Sequence, residues 1–193
     1  MIDYANQSQR YGDFIETFTG KAFYPLDSRP EEIALEDIAH ALSMICRFNG
    51  HAKFFYSVAQ HSINVQKHLL LQGFGTKIQL AGLFHDASEA YLEDIVKPLK
   101  PFWKEYGKFE KQLENMIFEK FGISPNENTM ELVKDADNDL LALEARTLMQ
   151  CKNWNPIRVH HSIYIPILEA TPREAEEGFL SIAKRLLNLS ANG

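Results

Sequence analysis

Cysteine is nearly absent from this chain. Cys46 and Cys151 stand far apart with no C-x-x-C spacing. That excludes a disulfide scaffold and a thiolate metal cluster, and it reads as two buried thiols in a reducing environment. No apolar run approaches the length needed to cross a bilayer, and Met1 to Asp13 are polar, without the hydrophobic region of a signal peptide. A cytoplasmic protein without membrane contact is expected. Surplus positive charge is missing too. The formal net charge is −6, whereas a surface that coats nucleic acid relies on excess Lys and Arg. Small phosphorylated ligands stay open, since they need only a few local cations. Glycine-rich phosphate loops are also lacking. Gly73-Phe74-Gly75 is too short for a dinucleotide loop, and no Walker or G-x-S-x-G pattern occurs. Internal repeats, low-complexity tracts and clear linkers are absent, and strand signals are weak, Val159–Ile167 being the best.

What is present reads as helix. The 193 residues, 45% apolar and 24% charged, suit a single globular domain with a substantial core. Residues 1–32 carry Gly20, Pro25 and Pro30 without a sustained period and form an irregular arm; residues 33–193 form the body. A first helix is expected from Glu31, with Ile38, Leu42 and Ile45 inward and acidic residues in its early turns, ending at Asn49-Gly50. Ser57 caps a second, whose face carries Val58, His61, Val65 and Leu69, stopping near Gly73. Thr76 caps a third through Phe84, and Lys97 to Pro101 form a loop. Phe102, Tyr106, Phe109, Leu113, Met116 and Ile117 mark a long amphipathic helix ended by Gly122. Residues 129–150 give another, with Leu132, Val133, Ala136, Asp137, Leu140, Leu141 and Leu148 inward. After an irregular stretch, Thr171-Pro172 to Leu189 close the chain with Ala175, Phe179, Ile182 and Leu186 on the core side. The expected fold is an all-α single-domain bundle.

Three polar positions interrupt these apolar faces. His85-Asp86 ends the run Ile78 to Phe84, and two ligand-type neighbours converge only where a helix ends or distorts. Imidazole with carboxylate suits Zn, Mn, Fe, Co or Ni. Asp137 sits between Val133 and Leu141, where an unpaired carboxylate is costly and needs a cation, a hydrogen-bond network or a metal. His61 shares a face with Val58 and Val65. Any one of these alone reads as a satisfied core residue. Three helices each aiming an imidazole or carboxylate inward are what a metal site in a bundle core requires.

The set His61, His85-Asp86 and Asp137 resembles the H…HD…D ligands of the HD-domain phosphohydrolases, nearest to bacterial 5′-deoxynucleotidases and phage deoxynucleoside triphosphate triphosphohydrolases. The resemblance spans roughly residues 45–150, and Arg47, Glu89, Asp94 and Lys100 fall at the family's spacing. It implies a helical HD-domain bundle in which His61, His85, Asp86 and Asp137 hold one divalent ion (Zn, Co, Mn or Mg). It also implies that Glu89 orients or deprotonates the attacking water, that Asp94 assists proton transfer or holds the sugar, and that Arg47 and Lys100 bind phosphate. Glu89, near a cation, is expected to stay ionised at neutral pH. Phe48 follows Arg47 where many relatives place Trp, so it bears on sugar and base preference. His51 is read as a cap of the preceding helix, and His40, His68, His160 and His161 as surface or packing residues.

The implied reaction is hydrolysis of a deoxynucleotide 5′-phosphoester. A dATP-type triphosphohydrolase comes first, releasing deoxynucleoside and triphosphate, with a 5′-deoxynucleotidase acting on monophosphates as the alternative. A non-catalytic nucleotide sensor is the rival from another class, and the pairing of Glu89 with Asp94 speaks for catalysis. The expected partner is a small deoxynucleotide, with no nucleic acid and no membrane. Surplus aromatics in 102–121 suit a homo-oligomer.

Overall fold

A computed structural model describes residues 10–150 and 164–191. Helices dominate: α1 (Leu35–Met44), α2 (Val58–Leu71), α3 (Thr76–Phe84), the single turn α4 (Glu89–Leu92), α5 (Lys104–Lys120), α6 (Glu127–Leu148) and α7 (Pro172–Ala191). One antiparallel pair, β1 (Ile15–Glu16) with β2 (Ala22–Phe23), lies in the arm. The all-α reading holds.

Local chemistry explains most boundaries. Ser57 and Gln60 form a capping box at α2: Ser57 Oγ accepts from the Gln60 N–H at 3.2 Å, and Gln60 Oε1 from the Ser57 N–H at 3.0 Å. Thr171 and Glu174 reciprocate in the same way at the start of α7. Gly75 rather than Thr76 occupies the cap position of α3, and Asn126 caps α6 through the Thr129 N–H. The first helix is shorter than its apolar period suggests. Pro30–Glu32 form a separate 3-10 turn, and α1 stops at Met44 because residues 45–47 turn to pair with 56–58. There the Arg47 N–H donates to Tyr56 O at 2.9 Å, and the Val58 N–H to Ile45 O at 3.0 Å. Periodicity sees only one segment, so it could not register that long-range pairing. Phe102 likewise falls outside α5 and is 80% exposed, whereas Leu113, Ile117 and Phe118 carry that helix's core contacts. Residues 164–171 are irregular, with Ile165 and Ile167 buried; the first part of the expected strand, with Cys151, His160 and His161, lies outside the described residues.

Helix α3 is buried from Gln79 to Phe84 and packs against α2, α6 and α7. Its Gly82 lets α2 come close, because a Cβ there would overlap Leu69 Cδ1. The arm packs on the body through specific contacts. Buried Asp37 of α1 accepts from Thr19 N at 2.7 Å and Thr19 Oγ1 at 2.9 Å. Phe23 stacks on Tyr91 of α4 at 4.3 Å, and Tyr91 Oη accepts from the Ala34 N–H at 3.1 Å. The arm therefore fixes α4, whose first residue is Glu89.

Candidate metal centre

His85 and Asp86 occupy the turn between α3 and α4, the helix-end position that lets adjacent side chains converge. Ending a helix leaves its last carbonyls without partners. The Gly82 carbonyl is one of them, and it accepts from His85 Nδ1 at 2.8 Å. That bond assigns the proton to Nδ1 and leaves the Nε2 lone pair available.

His61 is treated the same way from the other side. It is fully buried, and its Nδ1 donates to Glu144 Oε1 at 2.8 Å, so its Nε2 also faces inward. The two Nε2 atoms lie 3.3 Å apart. Asp86 Oδ2 is 3.1 Å from His85 Nε2 and 3.7 Å from His61 Nε2, and Asp137 Oδ1 is 3.3 Å from His61 Nε2. Donors on one ion with bonds of about 2.1 Å are separated by roughly 3–3.5 Å, so the His61, His85 and Asp86 atoms fit a divalent cation, with Asp137 beside His61. The tightest subset is His61, His85 and Asp86, whose ligand atoms all lie within 4.8 Å of one another. Asp137 is shared with Lys134, whose Nζ is 2.6 Å from its Oδ2.

The carboxylates around the site favour positive charge there, and without an ion a proton on His61 supplies it. Burial and Arg47 both oppose a charge on His61, yet Glu144 and Asp137 bring it up to about 9. Burial pushes Asp86 upward, but His85 and then His61 hold it below the usual carboxylate range. Asp137 is also held low, with hydrogen-bonded His61 outweighing burial.

Around the ligands stand the other expected residues. Arg47 is buried, with Nη2 3.0 Å from Glu144 Oε2 as an ion pair outside hydrogen-bonding alignment, and Nη1 3.9 Å from Asp86 Oδ2. Its Nε has no hydrogen-bond partner. Phe48 lies against the guanidinium, 5.6 Å from ring centre to Cζ. Glu89 is buried beside Lys100, Oε1 to Nζ 3.6 Å, and its Oε2 lacks a hydrogen-bond partner. The expectation that Glu89 stays readily ionised is not met. Burial first, then Asp86 and Asp94, push its carboxyl well above the ordinary range, against the pull of Lys100 and Arg47. Lys100 is already bound at 2.8 Å to Glu110. Asp94 is raised by burial and Asp86, opposed by Arg47 and Lys100, which sets it in the same group of charges. Backbone strain brackets the group: Phe48 and Asn49 adopt left-handed φ values of 55° and 52°, and Glu93, next to Asp94, has φ 70°. His51 is exposed and closes the 3-10 turn Arg47–Gly50 through its backbone N–H.

A cleft of about 340 Å³ reaches the ligands between α5 and α6, with Met130 and Val133 on one wall and His85, Asp86 and Asp137 at its floor. Its size suits a small-molecule ligand.

Two buried carboxylates were not anticipated. Glu144 and Asp139 are both fully buried on α6. Glu144 lies two turns after Asp137, on the same face, and that spacing was the available signal. Asp139 pairs with His68, Oδ2 to Nε2 3.2 Å, so His68 is a buried, paired histidine. His40 packs on Phe18 and meets Glu176 at 3.0 Å.

No family model matches the sequence. Among known proteins, the chain is 44% identical over 135 residues to the uncharacterized protein YfdR of Escherichia coli K12, covering 70% of this chain and 72% of YfdR. It is 36% identical over 110 residues to the uncharacterized protein RCAP_rcc00048 of Rhodobacter capsulatus, covering 54% of this chain and 56% of that one.

Proposed function

The chain belongs to the same protein family as YfdR, and we propose that it is a metal-dependent phosphohydrolase acting on the 5′-phosphoester of a deoxynucleotide. The observation that carries this reading is the convergence of His61 Nε2, His85 Nε2, Asp86 and Asp137, with both Nδ1 atoms engaged by acceptors. A divalent ion held there supplies Lewis acidity toward the phosphoryl group.

The chain's own residues supply the rest. Glu89 Oε2 is a buried acceptor in need of a donor, and an attacking water fits it. The raised proton affinity of Glu89 makes it a stronger base than an exposed carboxylate. Arg47 Nε is a buried donor in need of an acceptor, and a phosphate oxygen fits it. Lys100 adds a point charge, and Asp94 stands by as a proton relay or a sugar contact. Dispersed contacts along the cleft wall at Met130 and Val133 suit a base or sugar face.

The cation balance bears on the substrate. Arg47 is held by Glu144 and Asp86, Lys100 by Glu110, Lys111 by Glu114 and Lys134 by Asp137. So much internal neutralisation favours a monophosphate, which brings less charge than a triphosphate. A dATP-type triphosphohydrolase is the second reading, with exposed Lys97 in the loop before Lys100 as an added cation. A second copy of the chain is the proposed protein partner, for which exposed Phe102 and Trp103 offer apolar surface.

Phosphorus NMR of the protein with Co²⁺ tests this, with dAMP and dATP in separate tubes. Orthophosphate from dAMP supports the first reading and free triphosphate from dATP the second. Silence in both tubes with metal bound would instead support a non-catalytic nucleotide sensor.

A further inference from the structure

The carboxylate of Glu144 touches no solvent and yet has three polar partners, His61, Tyr56 and Arg47. Its Oε1 accepts from His61 Nδ1 at 2.8 Å and from Tyr56 Oη at 2.9 Å, while its Oε2 faces Arg47 Nη2 at 3.0 Å. Tyr56 Oη is itself fixed by a hydrogen bond from Asn64 Nδ2 at 2.8 Å. Burying a carboxylate this deeply is unfavourable unless cations and donors surround it. Here Arg47, then His61, outweigh burial and keep Glu144 below its ordinary range.

We propose that Glu144 is a positioning residue that governs two functions at once. Its Oε1 holds His61 with the Nε2 lone pair turned to the ion. Its Oε2 holds the guanidinium of Arg47 beside Asp86, where the unpartnered Nε meets the phosphate. A carboxylate behind a ligating histidine orients the ring and increases its donor strength. The same anion on Arg47 sets where the substrate's phosphate sits relative to the ion. This inference rests on the metal reading of His61, His85, Asp86 and Asp137.

The test is a Co²⁺ titration followed by visible absorption, on the full chain, for wild type, Glu144→Gln and Asp139→Asn. Asp139 is an equally buried carboxylate of the same helix, paired with His68. It reports what the loss of a buried charge does by itself. Glu144→Gln weakens Co²⁺ binding by about ten- to a hundredfold and changes the shape of the absorption bands at saturating metal. Asp139→Asn leaves the bands as in wild type. If Glu144→Gln does not fold, the charge-neutral double variant Arg47→Gln with Glu144→Gln takes its place, with the same expected loss of affinity. Wild-type bands and affinity in a folded Glu144 variant overturn the positioning role while the metal site stands. Absence of Co²⁺ binding by the wild type overturns both together.

Discussion

His85 Nδ1 donates to the carbonyl of Gly82 across 2.8 Å, so the residue that orients a proposed ligand is also one that leaves no room for a Cβ against Leu69 of α2. A methyl group at position 82 would overlap Leu69 Cδ1, so the buried Leu69 side chain or the end of α3 must shift. Overpacking of this kind costs about 1–3 kcal/mol. Gly82→Ala is therefore expected to lower the melting temperature by about 2–12 °C, at about 2–4 °C per kcal/mol for a chain of this size. Calorimetry checks the stability. The shifted end of α3 should also weaken Co²⁺ binding, which a titration of the same variant reads.

Glu89 gives a prediction whose sign follows from its raised proton affinity. In the folded chain its carboxyl holds its proton to higher pH than in the unfolded chain. The stability it contributes is present below the unfolded value and is lost as pH rises through the folded one. Glu89→Gln removes the titrating group and keeps the shape. In metal-free protein the variant should match wild type near pH 4 and exceed it in melting temperature at pH 8. Melting curves across that range check it. Turnover should fall by about 10²–10⁴-fold if Glu89 is the general base.

Metal should stabilise the fold as well as serve the reaction. The proposed ligands come from α2, the α3–α4 turn and α6, so one ion would link three parts of the bundle. Free Co²⁺ at about a hundred times its Kd adds roughly 2.7 kcal/mol, or about 5–11 °C in melting temperature. A chelator should reverse the gain. Differential scanning fluorimetry with and without chelator checks this, and an unchanged melting point would count against the site.

Much of this arrangement was legible in the sequence, and the illegible parts share one cause. The Ser57 cap, the helix-ending turn at His85-Asp86 and the inward Asp137 all follow from local pattern. The apolar period carried the first helix too far in both directions, since the Ile45–Arg47 pairing with Tyr56–Val58 is a long-range event. Arg47 read as a planar fork for phosphate, and the same pairing also sets its guanidinium against Glu144. Apart from its spacing from Asp137, nothing in the local pattern marks Glu144, which follows Leu141, Ala142 and Leu143. Its burial makes sense only with Arg47, Tyr56 and His61 around it, and these come from elsewhere in the chain. The low ionisation of Glu89 has the same origin, because burial outweighs the neighbouring Lys100.

The most direct measurement is metal content per chain, set beside dAMP hydrolysis, in wild type and Asp137→Ala. Asp137 is chosen because it lies farthest in sequence from His61 and His85-Asp86, and only the folded bundle brings it to them. The account predicts about one ion per wild-type chain, with occupancy and turnover falling together in the variant. Equal metal content and equal turnover in both proteins would contradict it.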